Sequence, residues 1–401
     1  VIVVEHEAEM MRRADQILDL GPGAGVHGGD VIFQGTYKQI LKDKDSLTGG
    51  YLSGTKEIEV PKERRPINEE RQIKITNARQ HNLKRLDATF PLGIVVCVTG
   101  VSGSGKSTLI HDTLYNGMRR LKGLHDGDSG IGKHDGIIGH QMIHNIEMVD
   151  QSPIGRSPRS NPVTYVKAFG PIRELFSTTH QAQIRGLRPG YFSFNVSGGR
   201  CETCQGEGVV KIEMQFLADL YLECESCKGK RYKQETLEVR FQGKNVHDIL
   251  QMTVKEAVVF FEGHRSIVNK LEVLNNIGLG YLTLGQPSNT LSGGEAQRIK
   301  LAAHLSKKSS EKTLYLFDEP TTGLHFDDIR KLMGAFDALV EKGHSVIIIE
   351  HNLDVIKCAD WLIELGPEGG IRGGFIIAEG TPEAVAKNKK SVTGKFLQEM
   401  L

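Results

Sequence analysis

Three short apolar runs, Ile94 to Val98, Thr313 to Phe317 and Val346 to Ile349, show no polar alternation. A strand that is apolar at every position is buried on both faces, which is the condition of a parallel sheet. IKIT from Ile73 and NLKRLDATF from Asn82 are also strand-like, and YFSFNV from Tyr191 is predicted as an aromatic strand. Helical spacing follows the first run to about Met118, and it returns over 171–186 and 254–275. The last of these reads as an amphipathic helix or helix pair with Val258, Phe260, Phe261, Ile267, Val268 and Leu271 in its core. Between these elements, TKEIEVPKERRPINEER over 55–71 is charged and has no apolar period, which predicts an exposed linker. Residues 119–140, rich in Gly, His and Asp, are expected to form a mobile loop.

The same pattern occurs twice. Residues 1–52 align without a gap to 346–397, with 21 identical positions. VIVVEH matches VIIIEH, DLGPGAGVHGG matches ELGPEGGIRGG, and SLTGGYL matches SVTGKFL. The first 52 residues are therefore expected to be the end of one repeat, followed by a second repeat that is complete.

Composition narrows the class. With 39% hydrophobic and 25% charged residues the chain reads as globular, long enough for two or three domains. No apolar run approaches the length needed to span a bilayer and no basic-then-apolar leader is present, so a cytoplasmic location without a membrane partner is expected. A net charge of +1 excludes a globally basic nucleic-acid binder and leaves only a local patch.

The chemistry begins after the first apolar run, at Gly100 to Thr108, GVSGSGKST. A strand, a glycine-rich turn and a helix start make a nest of backbone N–H groups for phosphate oxygens. The spacing G-x4-G-K-S is that of a P-loop, with Gly100, Ser102, Gly103, Ser104, Gly105, Lys106, Ser107 and Thr108 as candidate ATP contacts. Lys106 suits the β- and γ-phosphates, and Ser107 suits Mg2+. TLYLFDEP ends in two carboxylates: Asp318 suits Mg2+ and Glu319 suits polarising an attacking water. Val346 to Ile349 leads into Glu350 and His351, and the imidazole is a candidate donor to the γ-phosphate. LSGGEAQRIKLAAHL from Leu291 places Ser292, Gly293 and Gly294 at a helix N-terminus, a second anion site.

Four of the six cysteines form two pairs, Cys201 and Cys204, then Cys224 and Cys227, separated by 19 residues. That spacing predicts one tetrahedral Zn2+ held by four thiolates, closed to catalysis. Gly206 and Gly229 each fall two residues after a pair, where a knuckle turns. Cys97 and Cys358 are expected to be buried apolar-type residues. Around this region, from Gln151 to Lys211, eight basic residues face three acidic ones, a local excess of +5. Arg156, Arg159, Arg200 and Lys211 are the candidate DNA contacts, against the plain alternative of a solvated face.

The P-loop, a glutamine at 151, LSGGE, LYLFDEPTTGLH and IIIEH, in this order, resemble the nucleotide-binding domain of ABC ATPases. The resemblance implies that Gln151 senses Mg2+ and the γ-phosphate, that His351 is the switch histidine, and that LSGG of one domain closes over ATP held by another. Gly323, Leu324 and His325 depart from the usual transporter motif at that position. Together with QSPIGRSPRSNP, FSFNVSGGRCETCQGEG, CKGKRY and IEHNLDVIK, the whole chain resembles the UvrA family of bacterial nucleotide excision repair.

That resemblance implies an α/β fold: an ABC-type P-loop NTPase domain with an inserted zinc-binding α+β domain, preceded by the tail of a first ABC domain. The expected boundaries are 1–54 for that tail, 55–71 for the linker, and 72–118 and 276–401 for the second ATPase domain. Residues 119–275 are expected to be the inserted DNA-contacting domain. ATP, Mg2+ and Zn2+ are the implied cofactors. Double-stranded, especially damaged, DNA, UvrB through the other half, and a second copy in a homodimer are the implied partners. Without the first P-loop and its LSGG, weak or no ATP hydrolysis is expected of this chain unless two copies pair. A UvrA-like paralogue in drug tolerance and, from another class, a transporter ATPase remain the alternatives. A chaperone-type cysteine module is a further reading that leaves the ABC motifs unexplained.

Overall fold

The apolar runs form the centre of a six-stranded sheet in a computed structural model. The model describes residues 1–401 except 24, 26, 27, 125–129, 156, 213, 215–219 and 308–310. In chain order the strands are β1 Ile17–Gly21, β2 Asp30–Gly35, β3 Gln72–Ala78, β4 Leu86–Pro91, β5 Val95–Gly100, β6 Gly136–Ile138 and β7 Asn145–Val149. They continue with β8 Val209–Ile212, β9 Leu220–Glu223, β10 Thr313–Asp318, β11 Ser345–Ile349, β12 Trp361–Gly366 and β13 Phe375–Gly380.

The large sheet has the order β13-β12-β5-β11-β10-β7, parallel throughout except for β13 at its edge. Val96, Val98, Leu314 and Leu316 are fully buried in it, and each such side chain contributes about 1.5–3 kcal/mol. Parallel pairing puts the carboxyl ends of β5, β11, β10 and β7 along one edge, and those ends carry the P-loop, His351, Asp318 with Glu319, and Gln151. An antiparallel sheet β4-β3-β6 belongs to the same unit.

Two compact units are present: Val1–Pro22, Asp30–Gln151 and Lys308–Leu401 in the first, Gly23–Gly29 and Ser152–Lys307 in the second. The divisions fall at 151/152 and 307/308, not at 118/119 and 275/276 as the sequence suggested. Two interactions explain the difference. β6 and β7 complete sheets of the first unit, and the helix Gly293–Leu305 packs on the helices Arg265–Leu274 and Pro162–Tyr165 of the second.

The repeat is visible in three dimensions. β1 with β2 and β12 with β13 are equivalent hairpins, irregular at the equivalent steps Asp19/Leu20 and Glu364/Leu365. The carboxylate of Asp19 accepts from Ser46 Oγ at 2.6 Å and Thr48 Oγ1 at 2.9 Å. Glu364 accepts from Ser391 Oγ and, at 2.9 Å, from Thr393 N. The first-repeat segment also packs on the turn after β10: Tyr51 stacks on Phe326 at 5.4 Å, and Thr48 Oγ1 lies 3.2 Å from His325 Nε2.

Three local expectations change. The 55–71 segment is pinned: Arg64 Nη2 meets Glu383 at 2.7 Å, and Arg65 meets Asp337 at 2.8 Å and the buried Asp360 at 3.0 Å. Charge that looked like a solvated linker is instead the means of attachment. Of the 119–140 stretch, residues 125–129 lie outside the described residues, but 136–138 pair with β3 and Gly132 N donates to Asp112 O at 2.8 Å. YFSFNV makes no sheet. Its first residues form a 3-10 turn, Pro189–Phe192, because Phe192 and Phe194 are drawn into an aromatic core with Phe169, Phe176 and Tyr232.

The stretch 254–275 is a helix pair, Val254–Phe260 and Arg265–Leu274, with Phe261, Ile267 and Leu271 buried. Cys97 and Cys358 are buried thiols. No helix among the described residues is long and apolar enough to cross a membrane.

Candidate functional site

The loop between β5 and the following wide-turn helix Thr108–Tyr115 folds as an anion nest. Gly100 has φ +130, and a Cβ there would come within 1.9 Å of Leu365 O, so no other residue fits. Lys106 is buried; its Nζ donates to Gly100 O at 2.9 Å and Val101 O at 3.0 Å. Burial depresses the ammonium, while Glu319 and then Asp318 oppose that shift. Ser104 Oγ is fully buried and has no hydrogen-bond partner among the described residues, which fits a cradle shaped for a polar guest. Ser102 and Ser107 are exposed at the loop's mouth.

At the end of β10, Asp318 Oδ2 lies 3.0 Å from His111 Nε2. Contact with Asp318 raises the His111 imidazole above its ordinary value against the opposing effect of burial. The sequence reading missed His111. Its signal was the i+4 spacing from Ser107, which puts it on the helix face of the Mg2+ candidate.

Glu319 takes a left-handed backbone, φ +43, and its N–H donates to Ile349 O at 3.0 Å. Gln151 Nε2 donates to Glu319 O at 3.2 Å, and His351 Nε2 lies 3.6 Å from Glu319 Oε1. The three catalytic candidates are thus brought together, half-exposed. Burial, reinforced by Lys106, lowers the His351 pKa and so favours the neutral ring, which carries one N–H to donate.

A second residue the sequence reading left without a role holds this arrangement. The buried Glu350 accepts from Thr321 N at 3.0 Å, from Thr321 Oγ1, from His351 N at 2.7 Å and from Asn352 N at 2.9 Å. One carboxylate therefore ties the turn after Glu319 to the histidine loop.

Ser292, Gly293 and Gly294 belong to the second unit. Ser292 caps the helix Gly293–Leu305, with Glu295 N donating to its Oγ at 3.2 Å and its own N–H donating to Glu295 at 2.7 Å. Tyr281 OH holds the same glutamate at 2.6 Å. The helix N-terminus is therefore fixed in orientation, with its first N–H groups at the glycines.

The four cysteines converge. Their sulfurs lie within 4.8 Å of one another, with Cys201–Cys224 at 3.9 Å and Cys204–Cys227 at 3.7 Å. A tetrahedron with metal–sulfur bonds of about 2.3 Å has edges of about 3.8 Å, so the set fits a tetrathiolate ion. Gly206 and Gly229 have φ +84 and +71, as the knuckle turns require. Gly208 N donates to Cys204 Sγ at 3.3 Å, a bond that favours thiolate.

The DNA candidates are less uniform. Arg156 lies outside the described residues. Arg159 Nε lies 3.4 Å from Glu207, and Arg200 is largely buried, with Nη1 donating to Asn195 O at 3.3 Å. Lys211 is exposed on β8, in a hairpin that also exposes Val210, Ile212, Leu220, Tyr221 and Leu222. Sequence separation alone did not reveal that Arg159 and Arg200 have local partners.

A family model described as ABC transporter matches residues 202–322. UvrABC system protein A of Aquifex aeolicus is 58% identical over 402 residues, covering 100% of this chain and 43% of that protein. The Clostridium perfringens protein of the same name is 56% identical, with 42% of its length covered. A crystal structure of UvrA2 from Deinococcus radiodurans superposes with a TM-score of 0.91 at 43% identity, over 99% of this chain and 48% of that one. The chain thus spans about two fifths of the length of these curated relatives. Such sequences match the chain from end to end, and the UvrA2 structure shares its ABC-type α/β fold, so the chain is UvrA-like over its whole length.

Proposed function

We propose that this chain is the ATP-hydrolysing, DNA-contacting part of a damage-recognition subunit of nucleotide excision repair. The observation that carries the proposal is the convergence of Lys106, Asp318, Glu319, Gln151 and His351 at one sheet edge. Lys106 exchanges its loop carbonyls for the β- and γ-phosphates. Ser107 and Asp318 would hold Mg2+, which when bound neutralises phosphate charge. Glu319 orients the attacking water, and neutral His351 donates to the γ-phosphate. Ser292, Gly293 and Gly294 offer N–H groups to the triphosphate of a paired domain. Identity of 58% to UvrABC system protein A, against 43% to UvrA2, favours excision repair over a paralogous role.

In this reading the four cysteines hold a structural Zn2+ that shapes the second unit. The exposed hairpin around Lys211, together with Arg156, Arg159 and Arg200, contacts duplex DNA through its backbone. UvrB and a second copy of the protein are the partners of the assembled subunit.

Duplex affinity, measured with and without ATP at two salt concentrations, tests the proposal. Joint replacement of Arg156, Arg159, Arg200 and Lys211 by Ala is expected to weaken binding and flatten its salt slope. Unchanged affinity and slope would remove this surface. Glu319→Gln is expected to abolish whatever ATP turnover the chain shows while leaving nucleotide affinity in place, and retained turnover would remove Glu319 from its role.

A further inference from the structure

Gly323, Leu324 and His325 depart from the transporter motif, and the nucleotide site makes no use of them. They end the turn that leaves β10, where His325 opens the helix Phe326–Glu341. Its imidazole is engaged on both sides. Nδ1 accepts from Asp327 N at 3.3 Å, so the proton of the neutral ring sits on Nε2. Nε2 lies 3.2 Å from Thr48 Oγ1 in the first-repeat segment. Thr48 has one hydroxyl proton, and it goes to the Asp19 carboxylate, an acceptor only, at 2.9 Å. The threonine oxygen is thereby left to accept from His325 Nε2–H. Ser46 Oγ donates to the other Asp19 oxygen at 2.6 Å. The chain of bonds thus has one direction, from His325 through Thr48 to Asp19. Thr48 is 5% exposed, and the Tyr51 and His6 rings stand edge-on to His325 with centroids at 5.9 Å and 6.3 Å. Water therefore has little room to replace a lost partner in this chain.

The turn held in this way begins at Glu319. Its φ of +43 is a backbone that a residue with a Cβ adopts at a cost and keeps where its surroundings impose it. At the near end Glu350 binds Thr321 N and Oγ1. Within the turn, Thr322 N donates to Glu319 O at 3.3 Å and Leu324 N to Thr321 O at 3.0 Å. Those internal bonds shape the turn without fixing it to anything else. His325 fixes its far end.

We infer that His325 is a positioning residue: through Thr48 and Asp19 it anchors the Glu319 turn of the second repeat to the first-repeat segment. The inference deepens the hydrolysis reading above and takes the role of Glu319 from it. Held at both ends, by Glu350 and by His325, the turn keeps the Glu319 carboxylate in place against backbone strain.

The test uses the full chain as wild type, Thr48→Val, Thr48→Ser and His325→Asn. Thr48→Val keeps the shape of the side chain but strands Nε2–H and one Asp19 oxygen, whereas Thr48→Ser keeps the hydroxyl. His325→Asn can still accept from Asp327 N but is too short to reach Thr48. Amide exchange over 321–325 is expected to be on the order of 10-fold faster in Thr48→Val and His325→Asn, the effect of losing a buried hydrogen bond, and near wild type in Thr48→Ser. ATP turnover is expected to fall in the same two variants while affinity for a non-hydrolysable ATP analogue stays unchanged, since the P-loop is untouched. Equal acceleration in the Ser and Val variants would show mere packing and overturn the inference. Wild-type exchange in His325→Asn would reduce the histidine to a helix cap and overturn it too. So would full turnover in Thr48→Val. Should Thr48→Val fail to fold, His325→Asn and Thr48→Ser carry the test by the same criteria. A wild-type chain without turnover would instead sink the hydrolysis reading, and the exchange rates would still decide whether the anchor exists.

Discussion

Replacing Glu350 by Gln removes one charge and little volume from the joint between the Glu319 turn and the His351 loop. Four donors converge on that carboxylate: Thr321 N, Thr321 Oγ1, His351 N and Asn352 N. The amide keeps one acceptor oxygen and turns an NH2 group towards N–H donors, so roughly two of the four bonds are lost. A hydrogen bond to a charged group contributes about 1.5–3 kcal/mol, which sets the expected loss at about 3–6 kcal/mol. The assay is urea unfolding followed by tryptophan emission, because the single tryptophan, Trp361, lies in β12 next to β5 and reports only on the first unit. Glu5 is the internal control. It is the repeat-equivalent residue and accepts from His6 N at 2.9 Å and Glu7 N at 3.3 Å, but it is exposed. Glu5→Gln is expected to cost no more than about 0.5 kcal/mol. A loss under about 1 kcal/mol for Glu350→Gln, or equal losses at both positions, would refute the reasoning.

Other outcomes follow from the same geometry. Cobalt substitution is expected to give the strong thiolate-to-metal absorption of a tetrahedral site, and Cys204→Ser is expected to weaken that band and lower zinc content below one per chain. Asp327 is held at about 2, below the ordinary 3.8, because bonds from Lys331 and Arg330 outweigh burial. A depressed carboxylate stabilises the fold above its unfolded value and loses that contribution as pH falls through the folded one. Asp327→Asn is therefore expected to lower stability at pH 7 and to converge on wild type as the pH falls below about 2, read by Trp361 emission. Thr48→Ala removes the contact with His325 at 3.2 Å and is expected to raise amide exchange at the start of the helix Phe326–Glu341, with no change in zinc content.

Much of the site was legible because the chemistry lies at strand ends. The unbroken apolar runs fixed β5, β10 and β11 as parallel and buried, and parallel strands align their carboxyl ends, so Lys106, Asp318, Glu319 and His351 had to meet. Cysteine spacing was equally direct, since a knuckle closes within a few residues. Long-range polar pairing was not legible. Arg64 and Arg65 looked solvated because Glu383, Asp337 and Asp360 lie some 270 or more residues away in sequence. Arg159 was counted as free charge because Glu207 lies 48 residues on, and Arg200 because its acceptor is the backbone carbonyl of Asn195, which no side-chain pattern announces. YFSFNV has strand composition, but a tertiary aromatic core outweighed its propensity.

The central claim is that a magnesium–triphosphate is held between Lys106 and the carboxylate end of β10. Equilibrium binding of a non-hydrolysable ATP analogue with Mg2+ to wild type, Lys106→Ala and Glu319→Gln tests it most directly. Losing a charged contact of about 1.5–3 kcal/mol predicts roughly 10- to 150-fold weaker binding by Lys106→Ala, with Glu319→Gln binding as wild type. Wild-type affinity in Lys106→Ala would contradict the account.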